Sequence, residues 1–282
     1  MLGAWWQRWR RDWMDYPLRE GTVYAGRYRI ERFIGMGSFG QAYRCTDLTS
    51  GAAVLLKRGK PSKRGQAREM LKRESDMLRR LDHPQIPKRL DYSVHRREEV
   101  LVMELVEGDS LEHAIMEQGR TFSACEALHI VRQLLQPLKH MHEKGYVHRD
   151  VRIPNVLVSG DRVYLIDVGL ACRIGDTSSA AGEERHGGRA PSGFADSWGA
   201  AKHRMRVPEP ASDLYGLGHL FLFMMYAGYK PAAEGQEERG WEEELALDLE
   251  VKAFVQGLLE SRWRSAAACE RELERVLKEA CL

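Results

Sequence analysis

The amino-acid sequence predicts an α+β fold with a β-rich first part and a mostly helical second part. Short β-type runs fill residues 28–106, and segments of helical periodicity follow Gly108. The composition, with 43% hydrophobic and 30% charged residues among 282, is that of a globular protein. We therefore assign a leader to residues 1–20, the β-rich part to 21–107 and the helical part to 108–282.

The first part predicts five strands and one helix. It opens with the runs YRIERFIG, QAYRC and AAVLLK, and a Thr49–Gly51 turn precedes the third run. Apolar residues then recur at helical spacing over 66–81, which predicts a helix. Two further strand-like runs follow at 86–94 and 100–106.

The second part predicts helices joined by short strands and one long loop. Ser123 stands three residues before Glu126, a capping-box spacing that marks the start of a helix. A Gly160-Asp161 turn between two short runs predicts a hairpin. Residues 171–207 are rich in Gly, Ala, Ser and charge and predict a loop. The expected helices cover 110–118, 123–144, a stretch from about 211, 241–260 and 265–280.

Charge and cysteine usage exclude several classes of function. The formal net charge is +2, so the overall charge does not predict a nucleic acid as partner, and any such contact would have to come from a local patch such as the basic run 57–68. The five cysteines form no CxxC pair, which argues against a zinc site and a disulfide framework and predicts reduced thiols in the cytoplasm. The longest apolar stretch, 217–229, is too short to span a bilayer.

A glycine-rich stretch is the first candidate for phosphate binding. Glycines at this spacing let backbone N–H groups approach phosphate oxygens. The same spacing occurs in dinucleotide sites, where a helix follows it. Here strand-like residues follow, which favours a flap between two antiparallel strands. The stretch consists of Gly35, Gly37, Ser38, Phe39 and Gly40.

Lys57 and Glu74 form the second candidate. Lys57 ends a strand-like run, and Glu74 lies on the inward side of the helix predicted after it. A Lys–Glu pair would hold the ammonium against the α- and β-phosphates of a nucleotide. On these residues alone, this pair and an incidental strand-end charge both remain open.

Residues 148–169 carry the strongest signal for chemistry. Asp150 can orient an attacking hydroxyl, and Arg152 can meet the charge on a transferred phosphoryl group. Asn155 and Asp167 offer the hard oxygens that Mg²⁺ prefers. All four occur in the order that metal-assisted phosphotransfer requires, which outweighs the alternative of an incidental polar loop.

Together these motifs resemble a eukaryotic-type (Hanks-type) serine/threonine protein kinase, in an atypical bacterial-style form, over about residues 26–279. The resemblance implies a bilobal protein-kinase fold with an antiparallel β-sheet N-lobe, a helix C carrying Glu74, and a shortened, mostly helical C-lobe. It implies ATP with Mg²⁺, or Mn²⁺ in its place, and protein substrates that include the chain itself. Met103, Glu104 and Val106 would lie at the hinge against adenine.

The resemblance also implies structural roles outside the catalytic segment. Glu209 would pair with Arg262 or Arg264. Asp213 would cap the catalytic loop from a central helix, and His148 would be a packing residue more than a catalyst.

Five positions depart from the family pattern. Val168 replaces the usual Phe after the metal aspartate, and Leu55 and Ala42 reshape the ceiling over the nucleotide. Arg152 replaces Lys, and Pro154 stands one place later than usual. Because Arg and Lys differ in hydrogen-bond geometry, the sequence predicts the phosphotransfer reaction more firmly than the amino acid that accepts the phosphate. The absence of the tyrosine-kinase motifs AAR and RAA favours Ser/Thr.

The segment between Gly169 and Pro208 lacks the threonine usual before Pro-Glu. Arg149 is the family's device for holding a phosphorylated loop, so regulation by phosphorylation and a loop without that role both remain open. The candidate autophosphorylation sites are Thr177, Ser178, Ser179, Ser192 and Ser197.

Two other classes of function remain alternatives. The first is a pseudokinase scaffold that binds nucleotide without turnover, which Val168, Leu55 and the missing threonine favour. The second is a small-molecule kinase of related fold. The retained chemical residues disfavour the first, and the intact His148–Asp150 motif disfavours the second.

The leader places Trp5, Trp6, Trp9 and Trp13 on one helical stripe beside several arginines. The stripe predicts either packing on a lobe of the same chain or contact through residues 2–16 with a membrane surface or a partner. The expected location is the cytoplasm, peripheral at the membrane in the second case. The sequence predicts no particular oligomeric state.

Overall fold

The computed structural model describes residues 15–176, 194–229 and 239–281. The chain divides into two compact units, Met1–Glu107 and Gly108–Leu282. The tryptophan stripe of the leader lies outside the described residues. So do Thr177, Ser178, Ser179, Ser192 and the side chain of Ser197.

The first unit is built on a six-stranded antiparallel sheet in the order β1-β2-β3-β4-β6-β5. A 3-10 turn, Pro61–Lys63, leads into helix α1. The five predicted strands and the predicted helix are confirmed, and β1 is an additional short strand. The elements are β1 (Val23–Tyr24), β2 (Tyr28–Met36), β3 (Gly40–Asp47), β4 (Ala53–Gly59), α1 (Arg64–Leu78), β5 (Arg89–His95) and β6 (Glu98–Glu104).

Strand alternation divides the residues of this sheet between two faces. Tyr43, Leu56 and Val100 belong to an apolar cluster on one face and are wholly buried. Lys57 follows Leu56 on β4 and therefore lies on the opposite face, where it contacts Glu74 of α1. The strand period thus directs Lys57 towards the helix, and the helical period directs Glu74 towards the sheet.

The second unit is mostly helical, with two small antiparallel sheets in the orders β10-β9-β7 and β11-β8. The predicted hairpin is confirmed, with Gly160 and Asp161 between its strands. The strands are β7 (Asp109–Ser110), β8 (Tyr146–Val147), β9 (Val156–Ser159), β10 (Arg162–Leu165) and β11 (Cys172–Arg173). The helices are α2 (Leu111–Met116), α3 (Ala124–Glu143), α4 (Phe194–Met205), α5 (Pro210–Tyr226), α6 (Trp241–Glu244), α7 (Leu249–Leu259) and α8 (Ala266–Ala280).

The core of the second unit lies around α3 and α5. Leu134 and Leu138 of α3 and Leu217 and Phe221 of α5 are wholly buried in one apolar cluster. The predicted capping box at Ser123 is confirmed, since the Ser123 amide donates to the Glu126 carboxylate at 2.8 Å. No helix in the described part of the chain has both the length and the apolar character needed to traverse a bilayer.

Two predicted elements of the second unit are wrong. Part of the expected loop at 171–207 is helix α4, because Ala201 and Met205 pack against Tyr215 of α5. The polar, glycine-rich composition of residues 171–207 gave no sign of this tertiary contact. The single helix expected at 241–260 is two helices, α6 and α7, because Leu245 takes an extended conformation and is buried.

The prediction that all cysteines are reduced is also wrong. Cys125, in the first turn of α3, and Cys281, directly after α8, form a disulfide bond. The two residues are 156 positions apart, and only the packing of α8 on α3 brings them together. The other three cysteines, Cys45, Cys172 and Cys269, are buried.

Candidate active site

Lys57 and Glu74 form an ion pair in the first unit. Lys57 Nζ donates to Glu74 Oε1 at 2.5 Å, and the Glu74 side chain is only 5% exposed. A buried carboxylate holds the ammonium in one place, which suits it to contact a phosphate. The structure therefore brings together the two residues whose relation the sequence left open.

The glycine-rich stretch is the tip of a hairpin in this unit. It joins β2, which ends at Met36, to β3, which begins at Gly40. The Gly37 amide donates to the Gly40 carbonyl at 2.9 Å and closes the turn. A Cβ placed at Gly35 would meet nothing within 4 Å, so the backbone is open to a ligand. The stretch is followed by a strand and not by the helix of a dinucleotide site.

The predicted hinge residues lie at and after the end of β6. Met103 is buried and pairs with Leu55 of β4, whereas the Glu104 side chain is exposed. The Glu104 amide donates to the Lys88 carbonyl at 2.8 Å, which fixes the course of the backbone there. Val106 lies two residues beyond the strand and is partly buried.

In the second unit, Asp150 is the centre of a cluster of charge-assisted hydrogen bonds. Arg152 donates through Nε to Asp150 Oδ1 at 2.7 Å and through Nη2 to Oδ2 at 2.8 Å. Asn155 Nδ2 donates to the same Oδ2 at 2.7 Å and to the Asp150 carbonyl at 2.9 Å. This geometry aligns the carboxylate and leaves the Asn155 Oδ1 as an acceptor.

Arg152 carries a permanent charge at this cluster. Burial lowers the pKa of its guanidinium, but the hydrogen bonds and charge of Asp150, with the charge of Asp167, outweigh burial and raise it. The Arg152 guanidinium is therefore positively charged at every pH at which the protein is folded.

Asp167 lies in a sparsely populated backbone conformation, with φ of 62°. Its Oδ1 accepts the Gly169 amide at 3.2 Å, and its side chain is exposed. Such a conformation in a non-glycine residue points to a functional role. The carboxylate of Asp167 and the amide oxygen of Asn155 are the hard oxygen ligands that suit Mg²⁺.

Asp213 of α5 fixes the backbone that carries Asp150. Its carboxylate accepts the amides of His148 at 2.9 Å and Arg149 at 2.7 Å, as well as His142 Nε2 at 2.9 Å. Burial raises the pKa of Asp213, but the hydrogen bond and charge of His142, with those of His148, lower it overall. The carboxylate is thus ionised where it holds the catalytic loop.

Gly216 lets α5 approach the catalytic loop closely. A Cβ at this position would lie 3.0 Å from both the Cβ and the carbonyl oxygen of Val151. Val151 directly follows Asp150, so the absence of a side chain at Gly216 contributes to the position of the Asp150 carboxylate.

Arg149 is buried and holds two distant backbone positions. Its Nε donates to the Arg206 carbonyl at 2.6 Å, and its Nη1 donates to the Leu170 carbonyl at 3.3 Å. Arg149 thereby links the chain just after Gly169 with the chain just before Pro208. Of the two partners predicted for Glu209, Arg264 is the one that pairs with it, at 3.8 Å between exposed side chains.

Sequence reasoning missed His142 as a partner of Asp213. The two residues are 71 positions apart, and nothing in the local pattern of α3 distinguishes His142 from the neighbouring His140.

Val168, predicted to weaken packing, is buried and 1% exposed.

The chain is similar to known protein kinases. The protein kinase domain model matches residues 28–281. The "Probable serine/threonine-protein kinase YbdM" of Bacillus subtilis is 28% identical over 268 residues, which cover 94% of each chain. The serine/threonine-protein kinase PknJ of Mycobacterium tuberculosis is 34% identical over 176 residues, 58% of this chain and 28% of PknJ. This chain thus matches less than a third of PknJ.

A solved structure shares the fold. The crystal structure of the PknI kinase domain of Mycobacterium tuberculosis superposes with a TM-score of 0.66 and 19% identity, covering 93% of this chain and 99% of that one. The β-sheet unit with helix α1 and the mostly helical second unit are consistent with the family match over residues 28–281. The chain therefore belongs to the protein kinase family.

Proposed function

We propose that the chain transfers the γ-phosphate of ATP to Ser or Thr hydroxyls of protein substrates, including its own. The main support for this proposal is the hydrogen bonding of Asp150. Its carboxylate accepts two hydrogen bonds from Arg152 and one from Asn155, at 2.7–2.8 Å. The Ser/Thr acceptor is supported by the names of the relatives YbdM and PknJ.

The aligned carboxylate of Asp150 accepts the hydrogen bond of the substrate hydroxyl and directs its oxygen at the γ-phosphorus. A bond forms between that oxygen and phosphorus, and the bond from phosphorus to the β–γ bridging oxygen breaks. ADP leaves, and the hydroxyl proton passes to Asp150. Arg152 stabilises the negative charge of the transferred group.

The nucleotide is held by residues of the first unit. Lys57, fixed by Glu74, binds phosphate oxygens, and the amides of the glycine-rich stretch cover them. The backbone of Met103, Glu104 and Val106 faces adenine.

Asn155 and Asp167 would hold Mg²⁺, because both offer hard oxygens and their ligand set suits this ion. When bound, the ion supplies neutralisation of the phosphate charge. Within the proposal, Mn²⁺ can substitute for it, since it accepts the same ligands.

The proposed location is the cytoplasm, where ATP is abundant, with residues 2–16 as the segment for peripheral membrane or partner contact. Cytoplasmic thiols are normally kept reduced. The Cys125–Cys281 bond would then form only under oxidising conditions. Fractionation of cells, with the leader intact and deleted, tests the location.

The test is incubation of the purified chain with γ-labelled MgATP, alone and with generic protein substrates. We expect label on Ser or Thr. Asp150→Asn should abolish labelling and retain nucleotide binding, and Asp161→Asn, the same chemical change in an exposed turn, should leave labelling intact. Nucleotide binding without turnover, or turnover of a small alcohol alone, would each refute the proposal.

A further inference from the structure

The first described residues, 15–18, are fastened to the sheet and to the start of α1. The Leu18 amide donates to the Tyr43 hydroxyl at 3.1 Å, and the Gln41 side-chain amide donates to the Asp15 carbonyl. Asp15 is 9% exposed and Gln41 is wholly buried. The segment that precedes the sheet therefore has a fixed place on the first unit.

The carboxylate of Asp15 binds the turn that leads into α1. Its Oδ1 accepts the Ser62 amide at 2.9 Å, and its Oδ2 accepts the Ser62 hydroxyl at 2.5 Å. Ser62 is the middle residue of the 3-10 turn Pro61–Lys63, and α1 begins at the next residue, Arg64. Both oxygens of Asp15 thus fix the point at which the chain enters the helix.

The charge of Asp15 is suited to this position. The first turn of α1 has no acidic residue, and neither α1 nor the turn before it has a side-chain cap. Lys60, Lys63 and Arg64 place positive charge there, which the dipole at a helix N-terminus disfavours. Asp15, from 47 positions earlier in the chain, supplies the carboxylate that the helix start itself lacks.

The start of α1 is mechanically connected to Glu74. A helix is stiff along its axis, and Glu74 lies ten residues, or about 15 Å, from Arg64. Ala67 of α1 packs closely on Gly59 of β4. A Cβ added at Gly59 would lie only 3.1 Å from the Cβ of Ala67. At the other end, Arg89 donates to Ser75 at 2.7 Å. Asp15 and Arg89 therefore hold the helix on either side of the span that presents Glu74.

The same segment reaches the strand that carries Lys57. The Gln41 carboxamide that binds the Asp15 carbonyl also accepts Arg58 Nη1 at 3.1 Å and the Tyr43 hydroxyl at 2.8 Å. Arg58 directly follows Lys57 and is anchored by Glu98 at 2.6 and 2.9 Å. Asp15 is thus joined to both elements that supply the Lys57–Glu74 pair.

We propose that Asp15 is a positioning residue for phosphotransfer, because its hold on Ser62 fixes the start of α1 and hence the Glu74 carboxylate that orients Lys57. The proposal rests on the proposed function for its kinetic consequences. Its structural consequence, the placement of α1, is independent of turnover.

The experiment compares Asp15→Ala and Ser62→Ala with Ser50→Ala in the full-length chain. Ser50 is the matched control, because its hydroxyl also donates to a carboxylate, that of Asp47, at 3.0 Å in the β3–β4 turn. We expect kcat/KM for ATP to fall about tenfold in Asp15→Ala, since a charge-assisted contact is lost. Ser62→Ala should lose about threefold, because its amide still binds Asp15. Ser50→Ala should stay at the wild-type value.

A double-mutant cycle with Glu74→Gln separates positioning from general destabilisation. Affinity for ADP is the readout, since it does not need turnover. If Asp15 acts through Glu74, Asp15→Ala should weaken ADP binding in the wild type and change it less than about twofold in the Glu74→Gln background. Equal losses in both backgrounds, or an equal loss in Ser50→Ala, would overturn the proposal.

Hydrogen exchange of the α1 amides gives a third readout that needs no nucleotide. We expect faster exchange over residues 64–74 in Asp15→Ala and Ser62→Ala than in Ser50→Ala. Unchanged exchange would overturn the proposal even in a chain without phosphotransfer. Faster exchange in a chain that transfers no phosphate would support the positioning of α1 and refute only the proposed function. Ser62→Ala decides the result if Asp15→Ala does not fold.

Discussion

At the scale of single residues, the Asp150 carboxylate, which we propose is catalytic, is held by an arginine fork where the family usually has a lysine. Arg152 makes two hydrogen bonds to Asp150, one to each oxygen. The threonine that usually bridges these two positions has no evident counterpart in the sequence. The second bond of the fork offers a physical compensation, because two parallel bonds fix the plane of a carboxylate and a single one does not.

This compensation predicts the effect of Arg152→Lys. Lysine keeps the charge and one contact but cannot reproduce the fork. We expect kcat to fall about tenfold, which corresponds to about 1.4 kcal/mol of lost alignment. Steady-state kinetics with saturating ATP measure it.

Arg162→Lys, the same change at the exposed start of β10, is the control and should leave kcat unchanged. If Arg152→Lys retains wild-type kcat, the second hydrogen bond of the fork does not contribute to catalysis.

At the scale of elements, helix α5 organises the catalytic loop through Asp213. One buried carboxylate accepts two backbone amides and one imidazole. A helix in the core of the unit thereby sets the conformation of a loop that contains Asp150. The position of the Asp150 carboxylate therefore depends on the packing of α5 as well as on the loop itself.

Asp213→Asn should destabilise the protein by about 1–3 kcal/mol at pH 7, because an amide NH₂ would face a backbone N–H group. The pKa of Asp213 is lowered in the folded state, so its contribution is complete above about pH 4 and is lost as pH falls through the folded value. The difference between wild type and variant should therefore narrow below about pH 4. Urea unfolding of both proteins from pH 7 to pH 3 measures this difference in the free energy of unfolding.

Glu117→Gln, on an exposed residue at the end of α2, serves as the control and should show little difference at any pH. A constant difference between wild type and Asp213→Asn down to pH 3 would mean that the charge of Asp213 does not contribute.

What the sequence could predict depended on how local the signal was. Lys57, Asp150, Asn155 and Asp167 could be predicted as site residues because the proposed chemistry requires fixed residue types in a fixed order. The capping box of α3 was identifiable because its bonds span three residues. Helix α4 was missed because packing against α5, and not its own composition, stabilises it.

At the scale of the whole chain, two compact units carry separate parts of the machinery, and the second is closed by a covalent bond. The sequence could not indicate the Cys125–Cys281 pairing, since it depends on where α8 packs. Towards the other end of the same two helices, Lys139 and Glu270 pair at 2.9 Å. The bond therefore reinforces an interface that noncovalent contacts already form.

Reduction of this bond should lower the stability of the protein by about 2–4 kcal/mol, because the unfolded chain gains conformational freedom. Denaturant unfolding with and without a reductant measures the loss. Cys281→Ser should unfold like the reduced wild type and should not respond to the reductant. Identical unfolding of the wild type under both conditions, with free thiols at both positions by mass mapping, would contradict the bond.

The close approach of Gly216 to Val151 has a consequence for natural variation in this protein. If Asp150 is catalytic as proposed, the reaction constrains a position that has no functional group, because any side chain there would press on the residue after Asp150. On the proposed function, we expect an allele that encodes alanine at this position to have lower activity, because the added Cβ would lie 3.0 Å from Val151. A comparison of side-chain chemistry alone would classify the change from glycine to alanine as conservative.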